Sequence, residues 1–470
     1  MLGSSIQADD HQPIAALSSA RGPSGVAVVR LSGKDTHKLI IPLLKFKFLK
    51  DPSKMSFAKL YLCELVDCMT NKLSHEVIDE PLVVFFKGPS SYSGEDSAEL
   101  HLHGGPYIVE RTLRLLYGVG FRPAEAGEFT RRAFLNGKMD LTTAEGIKEL
   151  ASASSRQQWV AARALATGTL ARKIETLRDS LMGAMAWLEA RIDFPDEGET
   201  SEIEFEEVEK RVDDVKQALI SLENTFNSGR IASTGLKVAL FGEPNAGKST
   251  LMNKLLGENR AIVTEIEGTT RDYLEEPCLI DGRLIRLIDT AGIRSSGKID
   301  KVEKIGMKRS FEIASDADIV IYLCPFDSKT PESISHWIDE VGANDHIKLA
   351  TKADLKTELK PSWLDDSFLE LSCEQEVGIS KLNKIICAKV DEQVDKIKDE
   401  VFITSPRHKA AISEAFKAVK KFYEVRDQGG YEEMLAFELQ GAARSLQSII
   451  GDVASDDILG VIFSSFCVGK

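Results

Sequence analysis

The sequence predicts a multidomain protein with three classes of unit: an α+β unit at the N-terminus, an all-α unit, and an α/β unit inserted into the helical one. Three observations predict it. Short β-like runs separated by Gly/Pro turns fill the first 125 residues; apolar residues then recur every three or four positions; and between 234 and 385 apolar strands alternate with helical segments around a glycine-rich turn. At 470 residues the chain is long enough for about three cores, given roughly 100–200 residues per domain.

Taken in order, residues 14–17, 25–31, 81–86 and 98–102 read as strands, with a helical stretch near 108–117, giving an N-terminal α+β domain over 1–125. The first segment of the helical domain follows over 126–233. Leu170, Ile174, Leu177, Leu181, Met185, Leu188 and Ile192 form one stripe, and Phe205, Val208, Val212, Val215, Leu219, Leu222 and Phe226 form a 3-4 seam that seeks another helix. The glycine of Asn227-Ser228-Gly229 predicts the end of that helix. The inserted α/β domain spans 234–385, with strands at 237–241, 286–289, 318–323 and 347–350 and a hairpin turn at Asp281-Gly282. The second segment of the helical domain fills 386–470, with Ile412, Phe416, Val419 and Phe422 on one face and Ile458, Leu459, Ile462, Phe463 and Phe466 packing the tail.

Composition excludes several classes. Lys plus Arg (59) against Asp plus Glu (73) leaves a net charge of −14, which argues against a broad nucleic-acid or anionic-membrane footprint; any RNA contact must be local or shared with a partner. No apolar run approaches about 20 residues, and the N-terminus has no signal-like pattern, so neither a membrane span nor secretion is expected. Seven scattered cysteines without a C-x-x-C suggest reduced thiols and a cytoplasmic location. Cys467 is fourth from the end, but Gly469 is not aliphatic and no polybasic stretch precedes it, so prenylation is not expected.

The chemistry concentrates in the insert. Gly242-Glu-Pro-Asn245-Ala246-Gly247-Lys248-Ser249-Thr250 lies between an apolar strand and a helix, the context in which a Gly-rich turn cradles phosphates. Its glycines let backbone N–H groups converge on a phosphate, Lys248 reaches the β/γ oxygens, and Ser249 suits Mg²⁺. Downstream, Gly268-Thr269-Thr270-Arg-Asp could supply Thr270 to Mg²⁺, and Asp289-Thr290-Ala291-Gly292 could hold the ion through water and sense a γ-phosphate. Thr351-Lys352-Ala353-Asp354 ends another strand. Its carboxylate can accept N1–H and N2–H of guanine, while adenine presents an acceptor and would be rejected, so GTP is the expected substrate. Ile293 stands where many such switches carry a water-orienting Gln, leaving Asp300 and Glu303 as alternatives.

The G-T-T-R-D, D-T-A-G and T-K-A-D series resembles that of translation-factor-related GTPases, with Thr351 replacing the usual Asn and Ser372-Cys373 standing where those proteins carry Ser-Ala, which implies a backbone N–H there for guanine O6. The resemblance sharpens with R-G-P-S-G-V-A-V-V-R-L-S-G, S-Y-S-G-E-D, E-L-H-L-H-G-G-P, G-E-F-T-R-R-A-F-L-N, I-D-F-P-D-E and the ending S-D-D-I-L-G through F-S-S-F-C-V-G-K. Together these resemble the MnmE (TrmE) family of tRNA-modification GTPases over essentially the whole chain.

That resemblance implies an N-terminal folate-binding-like domain that forms a homodimer, and a Ras-like P-loop domain inserted in the helical one. It implies a complex with the FAD-dependent protein MnmG, which modifies C5 of the wobble uridine of certain tRNAs using a one-carbon unit of 5-formyl- or methylene-tetrahydrofolate. By the same resemblance, folate contacts fall on Arg30, Glu99, Lys138 and Lys470; K⁺ contacts on Asn245, Thr264, Ile266 and Thr269; and the catalytic acid on Glu303. His101 and His103 share a strand face, where structural or folate-adjacent roles are expected rather than a metal pair. Two other classes remain open: a ribosome-assembly switch, which would call for a basic RNA-binding module, and a folate-dependent transferase with a regulatory nucleotide domain.

Overall fold

The computed structural model describes residues 12–67, 76–193, 203–259, 275–289, 310–326, 332–342, 345–355, 361, 363–397, 401–453 and 455–469. The chain forms two compact units, one from 1–144 with 451–470, the other from 145–450.

In the first unit, β1 (Ile14–Leu17), β2 (Ser24–Ser32), β3 (Leu44–Phe46), β4 (Leu60–Asp67), β5 (Glu76–Asp79), β6 (Leu82–Phe86), β7 (Ser97–Gly104) and β8 (Arg122–Pro123) form one sheet in the order β3-β4-β6-β7-β2-β1-β8, with β5 on β4. Alternation sets the faces. Ala27, Val29 and Leu31 of β2 and Ala98, Leu100 and Leu102 of β7 are buried with Leu115 and Leu116, while Arg30 and Glu99 lie on the other side. Two helices, α1 (Thr36–Ile40) and α2 (Pro106–Gly118), belong to this stretch of the chain.

The helix α3 (Glu128–Leu135) and the start of α4 (Leu141–Ser152) also belong here, as does the tail helix Asp456–Ser464. The compact units thus cut across the expected segments, which gave 126–144 and 451–470 to the helical domain. The reason is a separate apolar cluster: Leu141 and Ala144 pack with Leu459, Phe463 and Phe466, and Phe134 and Met139 join them. Ile458, expected to pack the tail, is instead 40% exposed. Gly127, with φ +66°, admits the tail closely, since a Cβ there would meet Phe463 O at 2.7 Å. An adjacent buried network fixes α3. Burial alone would raise the Glu128 carboxyl, but Arg122 and Arg132, bonded to it at 2.5 and 2.9 Å, hold it below the usual carboxylate range.

The second unit opens with α5 (Arg156–Ala166), α6 (Thr169–Asp193) and α7 (Ile203–Thr234). The seam Val208, Val212, Val215, Leu219 and Leu222 is buried as its spacing requires. However, α7 does not stop at Gly229 but continues to Thr234 and ends at Gly235, whose φ is +92°. Gly229 serves close packing instead: a Cβ there would lie 2.2 Å from Ile403 O.

The chain then builds β9 (Leu236–Gly242), α8 (Lys248–Asn259), β10 (Glu275–Ile280), β11 (Arg283–Asp289), β12 (Ile319–Pro325), α9 (Glu332–Val341), β13 (Asp345–Thr351), β14 (Phe368–Glu370) and α10 (Ile379–Asp395). Their sheet has the order β10-β11-β9-β12-β13-β14, parallel except for the β10–β11 hairpin, which turns at Asp281-Gly282 with both residues at positive φ. Because β9 lies between β11 and β12, the chain reverses direction across the sheet there, and the crevice at the carboxyl ends of these strands is the favoured ligand position.

The helices α11 (Pro406–Asp427) and α12 (Glu432–Ile450) return to the bundle core through Ile412, Val419, Phe422, Leu435, Leu439 and Leu446. Arg407 and His408 of α11 pair with Glu145 at 2.9 and 2.8 Å. Burial opposes ionisation of Glu145, but His408 and Arg407 prevail and bring it down to about 2.

Candidate functional site

Strand β9 delivers the phosphate-loop motif to the crevice and α8 carries it away. Gly242 is required by proximity, because a Cβ there would meet Leu323 O of β12 at 2.7 Å. Asn245 and Gly247, at φ +63° and +95°, turn the loop on either side of Ala246, which is fully buried. Lys248 is 6% exposed and its Nζ donates to Gly242 O (2.6 Å) and Glu243 O (2.7 Å), so the loop folds around its own lysine. Ser249 and Thr250 begin the exposed face of α8.

The strand next to β9 brings the second motif alongside. Asp289 ends β11, and its Oδ2 accepts the Ser249 hydroxyl proton at 3.1 Å. A hydroxyl and a carboxylate oxygen so close beside a phosphate loop are hard donors of the kind Mg²⁺ takes, so these residues fit that ion.

Strand β13 brings the third motif. Thr351, 3% exposed, donates its hydroxyl to Ala246 O at 2.7 Å. Lys352 takes φ +58°, which turns the chain into the short 3-10 segment Ala353–Leu355. Asp354 is then held by Ser372, whose fully buried hydroxyl donates to Asp354 Oδ1 at 2.7 Å and accepts Gln375 N–H at 3.2 Å. Cys373 is half-buried next to it, and burial raises its thiol. Thus 245–250, Asp289, 351–354 and 372–373 are drawn to one end of one sheet. Thr264, Ile266, Thr269, Thr270, Thr290, Ala291, Gly292 and Glu303 lie outside the described residues.

At the other end of the same strands is an open cleft of about 950 Å³ lined in part by Arg230, Lys237, Asp318 and His346. Arg230 is paired with Asp318 there, and the Gly-rich turn after β9 stands at the opposite, carboxyl end.

A second constellation lies in the first unit. Arg30 and Glu99 are direct cross-strand partners, and the guanidinium donates from Nε and NH2 to Glu99 Oε1, both at 2.9 Å. The rings of Tyr92 and Phe129 lie 5.5 and 5.8 Å from the Arg30 guanidinium carbon. The tail comes to the same place. Val468 bridges Ala126, Ser18 donates its hydroxyl to Gly469 O at 2.8 Å, and Arg30 NH1 stands 3.5 Å from that oxygen. Lys138 donates to Pro89 O at 2.8 Å, on the loop that also carries Tyr92. Lys470 lies outside the described residues. Sequence reasoning missed the aromatic pair on Arg30, although Tyr92 and Phe129 both sit inside the motifs that carried the resemblance.

His101 faces Glu99 at 3.7 Å and His103 pairs with Asp79 at 2.6 Å, which raises the His103 imidazole. Among the described residues no cluster of three or more His, Cys, Asp or Glu suits a metal ion, and no helix is long and apolar enough to cross a membrane.

Two known families match the chain. Residues 13–138 match the family described as GTP-binding protein TrmE N-terminus, and 141–467 match MnmE helical domain. The tRNA modification GTPase MnmE of Natranaerobius thermophilus is 37% identical over 97% of this chain and 99% of its own length. That of Aquifex aeolicus is 36% identical over 98% and 100%, and that of Clostridioides difficile 35% identical over 97% and 99%. With the Gly-rich turn, Ser249 bonded to Asp289 and Asp354 held by Ser372 in a chain matched over nearly its whole length, this protein belongs to the MnmE family of tRNA modification GTPases.

Proposed function

We propose that this chain is the GTP-hydrolysing subunit of a tRNA wobble-uridine C5 modification complex. The observation that carries the nucleotide reading is the convergence of Ser249, Asp289 and Asp354 at the carboxyl ends of β9, β11 and β13.

GTP lies with its phosphates over residues 242–249. Backbone N–H groups of the loop and the start of α8 receive the β-phosphate, and Lys248 exchanges its two carbonyl partners for phosphate oxygens. Ser249 and Thr270 would hold Mg²⁺, with Asp289 acting through water, and the ion would offset charge on the β/γ oxygens. Asp354, oriented by Ser372, accepts the two guanine N–H groups. Asn245, Thr264, Ile266 and Thr269 would hold K⁺, whose charge would serve where other switches use an arginine. Glu303 orients the attacking water, since Ile293 offers no polar group.

The first unit binds a formyl- or methylene-tetrahydrofolate, with Glu99 facing the pterin edge and Arg30, Lys138 and Lys470 serving its acidic portions. The residues present fit such a group: a carboxylate, a guanidinium and two aromatic rings meet on one sheet face. The chain acts as a homodimer with the FAD-dependent MnmG protein, and tRNA engages that complex, in keeping with the net charge of −14.

The test is GTP turnover in K⁺ against Na⁺ at equal ionic strength. Strong stimulation by K⁺, with Glu303→Ala binding GTP but hydrolysing at least about 100-fold more slowly, is expected. Equal rates in the two salts would overturn the K⁺ assignment, and Asp300→Ala failing in place of Glu303→Ala would move the water-orienting role.

A further inference from the structure

We infer that Thr351 is a positioning residue for the phosphate loop, and that its hydroxyl aims a phosphate-binding N–H rather than touching the nucleotide base. This rests on the nucleotide reading above and concerns the one position of the T-K-A-D motif that departs from the usual Asn.

Thr351 ends β13 at a junction of three segments. Its carbonyl accepts Phe326 N–H at 2.9 Å, just beyond the end of β12. Its hydroxyl proton goes to Ala246 O at 2.7 Å. Lys352, at φ +58°, then diverts the chain toward Asp354. The side chain is 3% exposed. A threonine hydroxyl has a single proton to give, and here it is committed to the loop, so Thr351 has none for a purine nitrogen.

The consequence runs through the peptide plane. In a trans peptide the C=O and the following N–H point in opposite directions. Fixing Ala246 O toward β13 therefore turns the Gly247 N–H away from β13, toward the mouth of the loop. Ala246 lies between two residues at positive φ; among the described residues its N–H closes a turn on Glu243 O at 3.2 Å, Leu251 N–H reaches Gly247 O at 2.9 Å, and the carbonyl of Ala246 is held by Thr351. The Thr351 bond thus serves the β-phosphate, which GTP and GDP share. Purine choice is left to Asp354, which Ser372 orients by a separate bond.

The experiment measures dissociation constants and off-rates of GTP, GDP and ATP, with Mg²⁺ present, for the full-length protein and the Thr351→Val and Thr351→Ser variants. Val keeps the shape and removes the proton donor. It should weaken GTP and GDP by about the same factor, near tenfold, seen in the off-rate, while the GTP-to-ATP preference stays as in the parent. Ser keeps the hydroxyl and should stay within about twofold of the parent. A Val variant that binds as the parent does overturns the inference, as does a Ser variant as weak as Val, which would assign the effect to the methyl group. A Val variant that loses purine preference instead would make Thr351 a base reader. A parent protein with no guanine-nucleotide affinity would sink the nucleotide reading itself, a separate failure. A Val variant that fails to fold is recognised by its melting without nucleotide, and Ser then decides alone through its off-rate.

Discussion

The phosphate loop and the Arg30–Glu99 pair show two ways of building a polar site. The loop is a single run of residues whose backbone is bent by Asn245 and Gly247 and whose lysine is gripped by its own carbonyls. The Arg30 constellation has no such run. It joins β2 to β7 by register, takes rings from two further segments, and receives Gly469 from more than 400 positions away. A site made of one segment carries its geometry in local torsions and is recognisable wherever it occurs. A site made of five segments exists only when every element around it has found its place.

If that contrast is sound, the two sites should fail separately and to different degrees. The largest effect is expected for Asp354→Asn, which replaces a charged double acceptor with an amide that opposes one of the two base N–H groups. The GTP-to-ATP affinity ratio should fall by about 100-fold or more, with tetrahydrofolate affinity unchanged. Competition binding reads the first and calorimetry the second; a fall in both would erase the distinction between the sites.

A smaller effect is expected for Arg30→Ala. It removes both bonds to Glu99 and the cation from the Tyr92 and Phe129 faces, leaving a half-buried carboxylate without its partner. Tetrahydrofolate affinity should drop about tenfold while GTP turnover of the free protein is retained. Deleting Gly469 and Lys470 should approach the same loss, because Gly469 O is the acceptor that Ser18 holds. Normal folate binding by the truncated chain would mean that the tail does not contribute.

The smallest effect concerns proton linkage, and it separates the units rather than the sites. In the first unit Glu128 sits below its ordinary range despite burial, so its contribution is present at neutral pH and is lost as pH falls through that depressed value. In the second unit Glu149 behaves in the opposite sense: burial, against the opposing Ser233 hydroxyl bond at 3.0 Å, pushes it up to about 7 from an ordinary value of 4.5. The folded form then holds more protons than the unfolded between those values, so stability declines as pH rises from about 4.5 to 7. Glu149→Gln should raise the melting temperature at pH 8 by about 2 °C and by progressively less as pH drops toward 4.5. A gain that is the same at both pH values would deny that ionisation of Glu149 is the cause.

Legibility in the sequence followed the same division. The apolar runs of β9, β11, β12 and β13 and the Asp281-Gly282 hairpin could be read because both faces of that sheet are covered and because φ > 0 at a two-residue turn is chemically restrictive. Strands β3, β4, β5, β8 and β14 could not, since they are short or half-exposed and depend on neighbours for their pairing. Gly229 was legible as a glycine but not in its role: helix termination and close packing call for the same residue, and only Ile403 O across the gap distinguishes them. The unit boundaries were obscured in the same way. The helical periodicity of 126–144 and 451–470 shows that they are helices, and says nothing of the core they enter.

By itself, then, the sequence determined the phosphate loop, its order relative to Asp289 and Asp354, the α/β class of the insert, and a chain with no strong basic footprint, because each depends on residue type, local periodicity and order along the chain. Only the tertiary structure decided which unit the tail joins, which rings flank Arg30, and where the Thr351 proton goes. Those are contacts between segments from about 60 to more than 400 residues apart, and their partners are chosen by packing after the local structure has formed.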